Sequence, residues 1–184
     1  YPTKGLGAFG DGGCIVTNDE ALAGRCRAFR NYGSRVKYQN EVVGTNSRLD
    51  ELQAGLLNVK LDFLDALNAE RRQIAQRYLE GLDTAYLALP RVRPGVTPTW
   101  HQFVIHTPHR DALRAHLAAH GVGSEVHYPI PPHLSEAYRY LGLREGAFPI
   151  AERNAREVLS LPMFNGITLE EQSRVIDTIN GFRP

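Results

Sequence analysis

The stretch Tyr1-Pro2-Thr3-Lys4-Gly5-Leu6-Gly7-Ala8-Phe9-Gly10-Asp11-Gly12-Gly13, running on into Cys14-Ile15-Val16-Thr17, decides how this chain is read. One lysine follows a proline turn and precedes five glycines within nine residues. Glycine at this density serves backbone shape: it permits positive φ and lets main-chain N–H groups approach a ligand closely. Lys4 on such a loop faces a bound group with little steric cover, and the plainer alternative is a Gly-rich hairpin with a solvated lysine. The β-branched run that follows, residues 14–17, reads as a strand.

At 184 residues and 42% hydrophobic content, the chain is able to bury a sizeable core and to form one domain or parts of two. A formal net charge of +1 gives no electrostatic case for nucleic acid or an anionic membrane, so phosphate binding, where it occurs, must be local. Cys14 and Cys26 have none of the spacing of a disulfide scaffold or a zinc ribbon, and both are expected to be reduced core thiols in a cytoplasmic protein. The sequence has no charged-then-apolar leader and no apolar run approaching a membrane span. With its strongest motif at residue 1 and no initiator methionine, it looks like the C-terminal half of something longer.

Outward from the opening loop, Thr17-Asn18-Asp19-Glu20 offers an N-cap and a first acidic turn, and Ala21, Leu22, Cys26 and Phe29 form an apolar stripe expected to face a core. Residues 34–45 are polar and aperiodic and read as a long loop of the kind that carries function. Ser47 is the expected N-cap of the next helix, with Asp50 in a capping-box-like place. Leu49, Leu52, Leu56, Val59 and Phe63, widened by Leu57, Leu61 and Leu64, predict a helix buried on more than one side, and Leu67, Ile74, Tyr78 and Leu82 a further amphipathic helix, the two forming a helical arm over residues 47–84. Pro90, Pro94, Gly95 and Pro98 mark a crossing loop. Beyond it the pattern predicts a strand at 103–105, a helix at 110–120, a short strand at 123–128, and helices near 135–141, 150–159 and 169–179. The strand-helix-strand order suggests a small α/β lobe.

Three stretches carry candidate chemistry. Lys4 heads the first; an ε-amine is a poor nucleophile while protonated, so a site that uses it must desolvate it or set it near other cations. The second is Gly44-Thr45-Asn46-Ser47-Arg48-Leu49-Asp50-Glu51-Leu52-Gln53-Ala54, where an amide side chain near a helix N-terminus suits a phosphate, or else merely caps the helix. In the third, Val126-His127-Tyr128-Pro129-Ile130-Pro131-Pro132-His133-Leu134, His127 and Tyr128 stand side by side for hydrogen bonding, while the prolines preclude regular structure and His133 orders the turn. Tyr1, Tyr32 and Tyr38 are further hydroxyls for substrate oxygens. His116 and His120, four apart on a helix, lack the adjacent glutamate of a zinc protease and any convergent ligand, so they read as surface histidines and no metal is expected.

Together these stretches, with Pro149-Ile150-Ala151-Glu152-Arg153 and Leu159-Ser160-Leu161-Pro162-Met163, resemble the DegT/DnrJ/EryC1/StrS aminotransferases over nearly the whole chain. Gly5 departs from that pattern where asparagine is frequent, and Cys14 where alanine is common. The resemblance implies an α/β, fold-type-I, aspartate-aminotransferase-like protein. Residues 1–65 would be the C-terminal part of the large cofactor domain, 66–98 a helical connection and crossing loop, and 99–184 the small α/β domain.

It further implies pyridoxal 5'-phosphate as cofactor, with pyridoxamine 5'-phosphate as its aminated form. Lys4 becomes the Schiff-base lysine, Asn46 a ligand of the cofactor phosphate across a homodimer interface, and Tyr1, Tyr38, His127 and Tyr128 contacts to substrate. The acidic partner of the pyridinium nitrogen and most of the phosphate cradle precede the lysine in that family. The implied reaction moves an amino group from an amino acid, by family habit L-glutamate, to a nucleotide-linked 3-keto or 4-keto deoxysugar. Two alternatives remain: a sugar dehydratase of the same superfamily, in which histidine replaces the lysine that is present here, and a non-catalytic regulatory protein that binds a nucleotide sugar.

Overall fold

The computed structural model describes all of residues 1–184, which form two compact units, Tyr1–Asp65 and Ala66–Pro184. The mixed α/β chain contains six α-helices and four short strands.

The second unit is built around an antiparallel pair, β3 (Phe103–His106) and β4 (Val158–Leu161), in register Phe103 with Leu161 and Ile105 with Leu159. In β3 burial alternates, whereas all four residues of β4 are buried. That β4 pattern is expected of a strand covered on both faces. Helices α3 (Leu64–Gly81), α4 (Arg110–Ala119) and α6 (Leu169–Asn180) supply Ile74, Ala75, Tyr78, Leu113, Leu117, Val175 and Ile179 to the core. Tyr78 lies edge-on to Phe103 at 5.2 Å and donates its hydroxyl to the Pro162 carbonyl at 3.0 Å. Burial pushes its phenol up to about 12. Thr168 and Glu171 close a reciprocal capping box on α6, as the Thr-x-x-Glu spacing requires.

The expected strand at 103–105 and the helices at 110–120 and 169–179 are present. Elsewhere the chain departs from its local pattern. The segment 123–128 makes only one bridge, Glu125 with Ser160, because its partner β4 is itself short. The helix expected over 150–159 is α5 (Pro149–Glu157), which stops where Val158 turns into β4. Pairing with β3 buries Val158, Leu159 and Leu161 together, which a further helical turn would not do. Residues 136–141 wind as a 3₁₀ turn ending on Gly142 at φ 67°, and Pro132–Leu134 forms a shorter one.

In the first unit, α1 (Glu20–Phe29) starts where expected, with Asp19 accepting the Leu22 N–H at 2.9 Å. Its stripe is not a core, however: only Ala28 is buried, while Leu22 and Phe29 are exposed. Residues 14–17 form no strand, since no other segment of the chain pairs with them, and Cys14 is exposed and Cys26 half-buried rather than core thiols. The expected loop at 34–45 contains a hairpin, β1 (Ser34–Val36) and β2 (Gln39–Asn40), turned at Lys37-Tyr38. Helix α2 (Glu51–Leu61) begins after Asp50, not after Ser47, and ends before Phe63, while the further helix expected in the arm is α3. No residue of α2 is buried, and Leu52 is 79% exposed. Sixty-five residues carrying this many apolar side chains do not enclose them all, so the excess lies on the surface of the unit. No helix is long and apolar enough to cross a membrane.

Because Leu159 is fully buried in the β3–β4 core, Leu159→Ala should cost about 2–5 kcal/mol in urea unfolding of the protein. A loss below about 1 kcal/mol would show that β4 does not organise this core.

Candidate active site

The lysine loop is shaped by two consecutive main-chain hydrogen bonds, Lys4 N–H to the Tyr1 carbonyl at 3.1 Å and Ala8 N–H to the Pro2 carbonyl at 2.7 Å. Gly7 sits at φ 78°, a conformation that side chains rarely adopt. Helix α2 braces the loop: Gln53 accepts the Phe9 N–H at 3.1 Å, and Lys60 Nζ lies 5.9 Å from the Phe9 ring centre. A Cβ at Gly7 would stand 2.7 Å from Lys60 Nζ, and one at Gly12 would stand 3.0 Å from Leu49 Cδ1. At Gly7 the positive φ is the constraint, since the Lys60 amine is the movable end of a long side chain, and at Gly12 the neighbours are the side chains of Leu49, which precedes α2, and Pro2. Gly5 differs, since a Cβ there meets nothing within 4 Å, so its departure from the family pattern leaves the packing unchanged. Above this base the Lys4 side chain is exposed and makes no hydrogen bond or ion pair.

Asn46 is placed by main-chain bonds to the end of α1. Thr45 N–H reaches the Phe29 carbonyl at 2.8 Å, Ser47 N–H reaches Arg30 at 2.9 Å, and Asn46 bridges Asn31. Gly44 permits this: a Cβ there would stand 2.6 Å from the Phe29 oxygen and 2.7 Å from the Tyr32 carbonyl carbon. Asn46 Oδ1 accepts Arg48 Nε at 2.9 Å, leaving its amide N–H₂ free to donate. It lies ahead of Asp50, so the helix end expected to assist phosphate binding is not beside it in sequence; the Arg48 guanidinium is the adjoining cation. That guanidinium also lies 5.8 Å from the Tyr32 ring centre. Tyr38, at the hairpin turn, has φ 70° and is 87% exposed, with Lys37 Nζ 5.0 Å from its ring centre. Tyr1 is exposed. No hydrogen bond, ion pair or ring contact joins the side chains of Tyr1, Lys4, Tyr38 and Asn46 to one another.

His127 and Tyr128 belong to the second unit and meet edge to face, with ring centres 5.4 Å apart. His127 Nδ1 is 2.9 Å from Ser160 Oγ on β4. The proline turn beyond them is fastened by a buried carboxylate. Glu152 accepts the Gly146 N–H at 2.9 Å, the Phe148 N–H at 3.1 Å and His133 Nε2 at 2.9 Å. His133 thus orders the turn, as its sequence setting suggested. The Gly146 amide, followed by Phe148 and His133, holds the Glu152 carboxyl below the usual carboxylate range despite burial. Gln53, Ser160 and Glu152 entered the sequence reading only as members of family-like stretches, with no individual role. Pro149 opening a helix with Glu152 in its first turn was the available signal for the last; nothing local marked Ser160. His116 Nε2 lies 3.0 Å from the Thr178 carbonyl, a contact with α6.

The mixed α/β fold is that of the pyridoxal-phosphate-dependent aminotransferases with which this chain superposes. The chain belongs to the DegT/DnrJ/EryC1/StrS aminotransferase family, whose model matches residues 1–180. It is 52% identical over 180 residues to the erythromycin biosynthesis sensory transduction protein EryC1 of Saccharopolyspora erythraea, covering 97% of this chain and 49% of that one. It is 49% identical to the dTDP-3-amino-3,4,6-trideoxy-alpha-D-glucose transaminase of Streptomyces venezuelae, covering 97% and 48%. The crystal structure of S. venezuelae DesV in complex with a ketimine intermediate superposes with a TM-score of 0.93 at 49% identity, covering 98% of this chain and 49% of that one. The chain spans about half the length of the curated relatives it matches.

The lowered Glu152 carboxyl contributes stability that is present above its unfolded value, near pH 4.5, and is lost as pH falls through the lower folded one. Glu152→Gln should therefore flatten part of the decline in unfolding free energy in acid. Parallel curves for the two proteins would remove Glu152 from the account.

Proposed function

We propose that the protein containing this chain is a pyridoxal-phosphate-dependent aminotransferase that moves an amino group from L-glutamate to a nucleotide-linked 3-keto or 4-keto deoxysugar. The observation that carries this reading is Lys4, a primary amine held by a braced glycine loop and committed to no partner within the chain. These residues fit the cofactor: Lys4 has the one nucleophile that a carbonyl needs, and Asn46 and Arg48 supply an amide donor and a cation suited to its phosphate.

When bound, the cofactor supplies a ring that takes up the electron pair left when the substrate α-proton departs. Lys4 Nζ is its point of attachment. Lys4 Nζ, when free, would take up the substrate α-proton and return it, in both halves of the reaction. Asn46 donates to the cofactor phosphate in a neighbouring subunit, while Tyr1, Tyr38, His127 and Tyr128 hydrogen-bond the diphosphate and hydroxyls of the sugar substrate.

On this reading residues 1–65 belong to the large cofactor domain, 66–98 connect, and 99–184 form the small domain of a cytoplasmic homodimer. The exposed apolar side chains of α2 support a further layer or subunit over the first unit. The S. venezuelae relative's name, a dTDP-sugar transaminase, supports the substrate class. A non-catalytic sensor that binds a nucleotide sugar is the second reading, favoured by the sensory-transduction name of the Saccharopolyspora relative.

Borohydride reduction of the cofactor-loaded protein, followed by peptide mass mapping, should place a pyridoxyl adduct on Lys4. Lys4→Ala should lower turnover by about 10³-fold or more while leaving nucleotide-sugar binding intact. An unmodified Lys4, or a Lys4→Ala variant of ordinary activity, would overturn the proposal.

A further inference from the structure

His127 is half-buried, and one of its ring nitrogens is engaged inside the protein, Nδ1 lying 2.9 Å from Ser160 Oγ. Ser160 is 6% exposed on a strand whose four residues are all buried. Its main-chain groups are committed to Glu125, donating to that carbonyl at 2.8 Å and accepting its N–H at 3.1 Å. Its hydroxyl has no partner other than His127. The nearby Glu125 carboxylate accepts the Val126 N–H through Oε1 at 2.9 Å, the same oxygen lies 3.6 Å from Arg114 Nη2, and the carboxylate makes no hydrogen bond to Ser160 or His127.

Proton accounting then selects one arrangement. A neutral imidazole has one N–H and one accepting nitrogen, and a serine hydroxyl has one proton to give. Were Nδ1 to donate to Oγ, the Ser160 proton would be left in the interior with no acceptor, a state that buried polar groups almost never adopt. With the hydroxyl donating to Nδ1, both groups are satisfied and the ring proton rests on Nε2. Nothing in the chain accepts from Nε2.

We propose that Ser160 is a positioning residue that holds neutral His127 as its Nε2–H tautomer, so that the ring meets its ligand as a hydrogen-bond donor. The ligand atom is therefore an oxygen acceptor, on the diphosphate or the sugar of a nucleotide-linked sugar; this rests on the aminotransferase reading above. Tyr128 stands edge-on to the imidazole at 90°. A fixed tautomer matters because a neutral histidine presenting its lone pair would repel the oxygens that it is placed to bind.

Long-range proton–nitrogen NMR of the histidine-labelled, cofactor-loaded protein tests the tautomer without any variant. At a pH of about 8.5, where an ordinary imidazole is neutral, the His127 ring should give the Nε2–H pattern. An Nδ1–H pattern would overturn the proposal. Ser160→Ala should erase the preference and raise KM for the keto sugar about 5- to 20-fold with kcat changed less than 3-fold, and Ser160→Thr should restore both, as expected of one lost hydrogen bond to a ligand.

Titration with the nucleoside diphosphate alone separates the two oxygens. Weaker binding by Ser160→Ala places the contact on the diphosphate, and unchanged binding with a raised keto-sugar KM places it on the sugar; an unchanged KM overturns the donor role. If borohydride leaves Lys4 unmodified, the aminotransferase reading fails, while the tautomer measurement still decides the Ser160 assignment.

Discussion

The pairing of β4 with β3 is the constraint on which the second unit depends. Four residues, Val158 to Leu161, are buried together, and the register sets Leu159 and Leu161 opposite Ile105 and Phe103 in one core. The other edge of β4 holds Glu125 by two main-chain hydrogen bonds, which fixes where Val126, His127 and Tyr128 emerge. One short strand thus transmits core packing to a candidate binding group within three residues of chain. It also delivers the Ser160 hydroxyl to the imidazole, so the same element sets both the position and the hydrogen-bonding character of His127.

In the first unit the corresponding constraint is close approach. Gly7 supplies the positive φ that turns the lysine loop, Gln53 of α2 ties that loop at the Phe9 amide, and Gly12 leaves room for the side chains of Leu49 and Pro2. Gly44 lets the strand-like segment carrying Asn46 lie against the end of α1. At Gly44 glycine is a packing requirement of backbone on backbone, while the chemistry rests in the polar groups that these turns allow into place. The two motifs that looked independent along the chain are one assembly, because Gln53 of the second braces the first.

Much of this was legible in the sequence, and the exceptions share a physical origin. Residues 103–105, 110–120 and 169–179 form the elements that their periodicity predicts, and Asp19 and Thr168 cap their helices as expected, because local signals and packing agree there. Local signals failed where a tertiary partner decides the outcome. Val158 continues a helical pattern but is taken by β3, and Ile15 and Val16 read as a strand but find no strand to pair with. The stripe of α1 and the broad face of α2 read as core yet stand exposed, since apolar pattern records a need for cover without saying where the cover lies. Lys4 and Asn46 were visible through glycine-bounded motifs. Ser160 was not, because a serine in an apolar strand acquires meaning only from the histidine beside it in space.

The two-unit chain therefore contains a braced, uncovered lysine in one unit and an oriented histidine in the other, which the proposed amino transfer uses for chemistry and for recognition. The measurement that tests this most directly is transfer of isotope from ¹⁵N-labelled L-glutamate, incubated with the cofactor-loaded protein and a nucleotide-linked keto-deoxysugar. The account predicts ¹⁵N in an aminated nucleotide sugar, dependent on Lys4. Tight binding of the nucleotide sugar with all of the label still on glutamate would contradict it.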